Sequence, residues 1–215
     1  MTDTPPKTSE LAAIYKTHLK DPLATTISQS EKLLEAFARL EENEKTAKFV
    51  AMLSKIKVDR DGFKYKPFHG SKNLQDVKDV LQSVVNAEKG MQGLFEAAEK
   101  TANGQTAEIT PDMSAATLQF ETNAMLGTAL RAVHTAATTQ NPDHALDEIL
   151  VSAEAARTSF SGVQRAVVSA ELGQKLNELI PEAMEEMRGL SKTIPTEVQN
   201  PVATPAIEQQ QGKSL

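Results

Sequence analysis

Apolar side chains recur along most of this chain at steps of three and four residues, which is the period of an amphipathic helix. Between residues 74 and 98 these steps alternate as in a heptad seam, at Leu74, Val77, Leu81, Val84, Met91, Phe95 and Ala98. A second seam consists of Leu146, Ile149, Ala153, Ala156, Phe160, Val163, Val167 and Ala170. Because no stretch sustains the strict alternation typical of a strand, the pattern predicts an all-α protein.

Proline positions indicate where several of these helices begin. Three prolines follow residues that commonly cap helices, in the pairs Asp21-Pro22, Thr110-Pro111 and Asn141-Pro142. Proline at the first helical position loses no hydrogen bond, and the residue before it satisfies free backbone amides. Caps and period together predict a short helix over 9–19 and long helices over 23–57, 73–102, 111–139 and 142–189. Pro181 is expected to kink or restart the last of these helices.

Helices of this length in a chain of 215 residues predict an elongated antiparallel bundle of about four long helices plus a short N-terminal helix. The predicted bundle covers residues 9–189, and alanine and glycine near its seams, including Gly127, let the backbones approach closely. Residues 1–8 and 190–215 are expected to be disordered. The apolar period of the last predicted helix stops at Gly189, and the segment that follows is polar and contains three prolines.

Composition and charge exclude several classes of protein. The chain contains no cysteine, which rules out disulfides, zinc–thiolate and iron–sulfur sites and a cysteine nucleophile. Its formal net charge of −6 is opposite in sign to that expected of a general nucleic-acid binder. Residues 1–72 carry 13 basic and 10 acidic side chains, whereas residues 73–215 carry 10 and 19. A basic end on an acidic chain favours association with protein partners and not with nucleic acid.

The first ten residues, MTDTPPKTSE, lack the basic start and apolar run of a secretory signal. The longest apolar runs also fall far short of the length needed to cross a membrane. We therefore expect a cytoplasmic protein without direct membrane insertion, and export by a route that needs no signal peptide stays open.

Few residues are candidates for chemistry. The sequence has neither the glycine-rich motifs that hold phosphates nor the paired-histidine motifs that hold catalytic metals. Asp143, His144, Asp147 and Glu148 cluster at the start of the last predicted helix, where acids stabilise the helix dipole; a metal site is the less favoured interpretation. Glu88 interrupts an apolar seam and is the first candidate for an internal polar site, although we expect the seam to turn it toward solvent. We predict no catalytic, cofactor-binding or metal-binding residues, no cofactor and no small-molecule ligand.

One segment differs from the rest of the chain. Residues 57–72, KVDRDGFKYKPFHGSK, combine five basic residues with three of the nine aromatic ones, and Asp61-Gly62 indicates a turn. Aromatic side chains supply rigid contact area and lysines steer acidic partners. The predicted partner-binding residues of this loop are Phe63, Lys64, Tyr65, Lys66 and Phe68. An alternative stays open, in which the aromatic side chains fold back over the end of the bundle.

Residues 146–156, LDEILVSAEAA, resemble the terminal helix of flagellar rod-adaptor and type III secretion inner-rod proteins. Those proteins carry a Leu-x-x-Val-Met-Ile-Ala-x-x-Lys-Ala pattern before a small, alanine-rich helix. This chain has Ala155 where that family has lysine, and residues 163–166 read Val-Gln-Arg-Ala in place of the flagellar Val-Arg-Asn-Lys. The resemblance is confined to this stretch, and it implies a component of a bacterial secretion machine.

These features favour a non-enzymatic protein that acts through protein–protein interactions. The leading hypothesis is an adaptor or structural subunit of a larger assembly, such as a bacterial secretion system. A second hypothesis is a secreted bacterial effector that binds a host protein, with residues 190–215 as an export signal. The third is a helical-bundle enzyme or ligand-binding protein whose site lies inside the bundle.

Overall fold

The computed structural model confirms the all-α fold class and describes residues 6–60, 63–111, 113, 120–140, 144–168 and 170–192. Its helices are α1 (Lys7–Ile14), α2 (Lys20–Ala38), α3 (Glu44–Leu53), α4 (Leu74–Ala102), α5 (Phe120–Thr139), α6 (Asp147–Val168) and α7 (Ala170–Lys192). A π-helical turn covers Tyr15–Leu19, and two short strands are β1 (Val58–Arg60) and β2 (Phe63–Tyr65). The helices extend slightly beyond the predicted 9–189, and residues 1–5 and 193–215 lie outside the described residues.

The predicted break before Pro22 is wrong, because α1, the π turn and α2 follow one another directly. Pro22 lies in the first turn of α2 and has no N–H to bond to the carbonyl of His18. The wider π turn immediately precedes this point, and Leu19 departs from ideal helical geometry with φ of −119°. A local widening of the helix, not a new helix start, therefore accommodates the proline.

The predicted helix over 23–57 is two helices, because α2 ends at Ala38 and a capping box starts α3. The Asn43 side chain accepts hydrogen bonds from the backbone N–H groups of Lys45 at 2.9 Å and Thr46 at 3.1 Å. In return, the Asn43 N–H donates to the Thr46 hydroxyl at 2.9 Å. This reciprocal pattern is visible in the sequence as Asn-x-x-Thr and fixes the first turn of α3.

The other two predicted proline starts have different outcomes. The Thr110 hydroxyl accepts a hydrogen bond from the Met113 N–H at 3.4 Å, and residues 111 and 113 are helical, as the prediction requires. The Asn141-Pro142 start lies outside the described residues. Helix α7 continues through Pro181 to its end at Lys192, so the helix does not restart at this proline, and the predicted kink stays a prediction.

The buried side chains form two clusters that share α2, α4 and α6. The hairpin-side core joins the second half of α2, α3, β1, the first half of α4, α5 and α6, and includes Leu33, Phe37, Phe49, Leu81, Val84, Leu130 and Phe160. The terminal core joins α1, the π turn, the start of α2, the second half of α4, the end of α6 and α7, and includes Leu11, Tyr15, Ile27, Leu94, Phe95, Val163, Leu176 and Met187. The long helices α2, α4 and α6 therefore connect two apolar cores.

Helices α5 and α6 pack closely through small side chains, as the alanine-rich seams predict. Ala129, Ala132 and Ala136 of α5 and Ala153 and Ala156 of α6 are all buried in the hairpin-side core. A Cβ added at Gly127 would lie 3.1 Å from a ring carbon of Phe160, which is closer than ordinary packing. A larger residue at this position would therefore press against the Phe160 ring and the Gln164 side chain.

Polar contacts join α1 to α7, which come from opposite ends of the described chain. The Glu186 carboxylate accepts hydrogen bonds from the Thr8 backbone N–H at 3.0 Å and from the Thr8 hydroxyl at 3.2 Å, so it caps the first turn of α1. Two ion pairs accompany this cap, Lys7–Glu182 at 3.0 Å and Glu10–Lys175 at 2.6 Å. Acidic and basic side chains of α7 thus hold the N-terminal helix onto the terminal core.

Candidate functional site

The segment predicted as a loop over 57–72 contains an antiparallel hairpin. Its strands pair in the register Val58↔Tyr65, Asp59↔Lys64 and Arg60↔Phe63, which leaves Asp61-Gly62 as the two connecting residues. Asp-Gly is a preferred connection for such hairpins, although the structure does not describe these two residues. Three residues per strand are too few to produce a recognisable alternation, which is why the sequence pattern predicted a turn but no strands.

The hairpin segment is anchored to the bundle by Phe68. Its side chain is only 1% exposed and belongs to the hairpin-side core together with Val58 of β1. A turn over residues 67–70 follows the second strand and brings Phe68 inward. The prediction that Phe68 anchors a partner does not fit this placement, because its surface is already buried within the chain. For this residue the alternative of an aromatic side chain folded over the bundle end describes the structure.

The remaining predicted partner-binding residues lie at the surface or outside the described side chains. Lys64 and Lys66 are exposed, Tyr65 is half-buried, and the side chain of Phe63 is outside the described part of the chain. Two further exposed lysines, Lys55 and Lys57, lead into β1. We call Lys55, Lys57, Lys64 and Lys66 the hairpin lysines. In the part of the chain that the structure describes, all four are exposed and none of them is paired with an acidic side chain.

The hairpin also has an unpaired strand edge. The described residues contain a single sheet of two strands, in which β2 pairs only with β1, and β1 in turn packs against α5. The far edge of β2 therefore carries backbone N–H and C=O groups that no neighbouring described strand satisfies, and such an edge is a template for a further strand. Positive side chains and an open strand edge thus coincide at Lys64.

A groove of about 290 Å³ lies between the starts of α3 and α4. Its lining residues are Glu42, Asn43, Thr46, Ala47, Val50, Lys72, Asn73 and Leu74. Helix starts attract anions through free amides, but Asn43 already caps α3 and the Asn73 side chain accepts from the Asp76 N–H at 2.8 Å. Because these amides are satisfied and Glu42 opposes an anion, we assign no ligand to this groove.

Among the described side chains, Glu88 is the one acidic or basic residue that is buried. Its exposure is 0%, so the expectation that the seam turns it to solvent is wrong. The Ser30 hydroxyl of α2 donates to one carboxyl oxygen, Oε1, at 3.0 Å, while Oε2 has no partner among the described residues. Burial raises the pKa of Glu88 to about 8, against the opposing effect of the Ser30 hydrogen bond. At neutral pH the group is therefore mainly the uncharged acid.

Three residues of the cluster predicted around the start of α6 lie in the described part of the chain, namely His144, Asp147 and Glu148. The His144 Nδ1 atom lies 3.1 Å from a carboxylate oxygen of Asp147, and Glu148 pairs with Arg39 of the α2 end. Asp143 lies outside the described residues. Within the part of the chain that is described, no group of three or more acidic or histidine side chains is placed to hold a metal ion.

Comparison with family models, curated proteins and solved structures found no match to this chain. Among the described residues, no helix combines the length and apolar character needed to cross a membrane.

Proposed function

We propose that this chain is a non-enzymatic interaction protein, an adaptor or structural subunit of a larger assembly, that binds an acidic segment of a partner protein at its hairpin. The observation that carries this proposal is the coincidence of four exposed lysines and an unpaired strand edge in a chain whose net charge is −6. Both features suit an extended acidic segment, whose backbone extends the sheet while its side chains meet lysines.

The bundle supplies a rigid base for this surface. Phe68 and Val58 fix both ends of the hairpin segment in the hairpin-side core, so the position of Lys64 and Lys66 is set before a partner arrives. Pre-organisation of this kind reduces the entropy lost on binding. Half-buried Tyr65, opposite Val58 in the register, adds contact area beside the lysines.

The test uses a fluorescein-labelled peptide of alternating valine and glutamate, with fluorescence anisotropy as the readout. We expect wild type to bind it, and the variant Lys57→Glu, Lys64→Glu, Lys66→Glu to lose at least about tenfold in affinity, equivalent to ~1.4 kcal/mol. A matched control, Lys16→Glu, Lys32→Glu, Lys100→Glu, changes the net charge equally at exposed positions on α2, α4 and the π turn.

Two results would overturn the proposal. The first is that wild type fails to bind the acidic peptide at low salt. The second is that both triple variants weaken binding equally, because the effect would then come from net charge and not from the hairpin. Circular dichroism should show the same helicity in all three proteins.

Membership of a bacterial secretion machine is the more specific form of this proposal, and the resemblance of residues 146–156 supports it. Affinity purification from the native host tests it with the same variants. A subunit of such a machine should be recovered with wild type and the control variant but not with the hairpin variant. Recovery of no partner with any of the three proteins would count against the assembly-subunit role.

A further inference from the structure

The contact between Glu88 and Ser30 lies where the two cores meet. On α2, Ile27 belongs to the terminal core and Leu33 to the hairpin-side core, with Ser30 between them. On α4, Val84 belongs to the hairpin-side core and Leu94 to the terminal core, with Glu88 between them. Met91 packs against both clusters. A polar pair therefore interrupts the apolar contact between α2 and α4 at this single level.

Among the described side chains, no cation is paired with the Glu88 carboxyl. The charged group that acts on Glu88 is Glu31 of α2, which opposes ionisation and is itself paired with Lys89 at 2.7 Å. On the elements that pack against α4, several charged side chains form ion pairs that do not involve Glu88, such as Lys7–Glu182, Glu10–Lys175 and Glu44–Lys48. A carboxylate at this position would thus keep one hydrogen bond and no ion pair in an apolar surrounding, which is a costly state.

We propose that Glu88 is a proton-dependent joint between the two cores, held closed by the protonated carboxyl and loosened by the carboxylate. In the closed state the uncharged acid lies among apolar side chains and accepts the Ser30 hydrogen bond. When the proton leaves, the charged oxygen that lacks a partner gains by reaching water, and the shortest way is separation of α2 from α4 around Ser30 and Glu88. The two cores can stay folded while this joint opens.

The sign of the pH dependence follows from the two pKa values. In the unfolded chain Glu88 ionises near its ordinary pKa of 4.5, whereas burial raises the pKa to about 8 in the fold. Between these values the folded state holds a proton that the unfolded state has lost. The contribution of Glu88 to stability is therefore fully present below pH 4.5, declines as the pH rises toward 8, and levels off above pH 8.

The experiment compares wild type with Glu88→Gln, which keeps the shape but cannot ionise, and with Glu35→Gln, an exposed position on α2, as the matched control. Urea unfolding at pH 5.5, 6.5 and 7.5 gives the unfolding equilibrium constant of each protein. We expect the unfolding equilibrium constant of wild type, divided by that of Glu88→Gln, to rise by up to about tenfold per pH unit. The same quotient for wild type and Glu35→Gln should stay nearly constant.

Hydrogen exchange distinguishes a joint from a general loss of stability. After correction for the intrinsic pH dependence of exchange, raising the pH from 6.5 to 9 should increase exchange of wild type in the middle of α2 and α4. The ends of the two cores should stay protected, and Glu88→Gln should show no such local increase. An equal increase along the whole chain, or the same increase in Glu88→Gln, would overturn the joint.

A direct titration covers the case in which Glu88→Gln does not fold. The ¹³C chemical shift of the Glu88 carboxyl in wild type should titrate well above pH 7. The Ser30→Ala variant should move the Glu88 midpoint further upward, because the Ser30 hydrogen bond favours the charged form. Titration of Glu88 below pH 6 would show that the carboxyl is not enclosed and would end the proposal.

Discussion

The two cores of this bundle are held together in different ways. In the hairpin-side core, bulky rings such as Phe37 and Phe160 alternate with alanines at close helix contacts. The terminal core also contains two stacked rings, Tyr15 and Phe95, whose centroids are 5.1 Å apart. Its outer helices α1 and α7 are joined in addition by a polar cap and by ion pairs. Ion pairs join helices in both cores, since Arg39–Glu148 connects the end of α2 to α6. The difference is that the hairpin-side core has close contacts of rings with small side chains, whereas the outer helices of the terminal core share a side-chain cap.

The largest expected effect comes from removing the side chain that ties the hairpin to its core. Phe68→Ala should lower the free energy of unfolding by about 3–5 kcal/mol, because it deletes a fully buried ring. Tyr65→Ala, on the half-buried side of the same hairpin, should cost about 1 kcal/mol. Urea unfolding measures both variants, and equal costs would mean that the hairpin is not part of this core.

The tolerance of each core to one added methyl group gives the next contrast. Gly127→Ala should cost about 1–3 kcal/mol, because the new Cβ meets the stiff ring of Phe160 at 3.1 Å in the hairpin-side core. At Gly93 the corresponding neighbour is the flexible end of Met113 at 3.0 Å, beside the terminal core, so Gly93→Ala should be close to neutral.

Gly162→Ala is the control for these variants, because no atom lies within 4 Å of its added Cβ. It should stabilise α6 by about 0.5–1 kcal/mol through helix propensity alone. Thermal and urea unfolding of the three variants test the contrast. An equal loss of unfolding free energy in Gly93→Ala and Gly127→Ala would contradict the expected difference between the two cores.

The smallest effect is expected at the cap between α1 and α7. Glu186→Ala removes the acceptor of both Thr8 hydrogen bonds and should cost about 1 kcal/mol. Hydrogen exchange should increase in α1 and stay unchanged in α3 and α5. Glu185→Ala, on the exposed side of the same helix, is the matched control. Faster exchange in the hairpin-side helices would show that the two cores are not separable.

Periodicity predicts most of this architecture, because steps of three and four are a local property of each helix. It places Leu81 and Val84 on one buried face and identifies the alanine contact between α5 and α6. It does not show where a helix is interrupted. The Asn43 cap appears in the sequence only as a weak four-residue pattern, and the apolar period does not indicate the π turn that accommodates Pro22.

The sites show the same division between local and long-range information. The basic and aromatic character of the hairpin segment is local, so the sequence draws attention to Lys64 and Lys66, which are exposed in the structure. Their role in partner binding stays a prediction. The burial of Phe68 depends on packing against helices distant in the chain. Ser30 and Glu88 are separated by 58 positions, and their contact depends on the relative register of α2 and α4, which no periodic pattern specifies.

The lysines beside the open edge of β2 have a consequence for self-association. An open strand edge invites the same edge of a second copy, which is a common start of aggregation. If two copies approached in this way, Lys64 and Lys66 of one would face identical positive charges on the other. The same lysines that attract an acidic strand would therefore repel a copy of themselves, so the edge can remain open in solution without joining protomers.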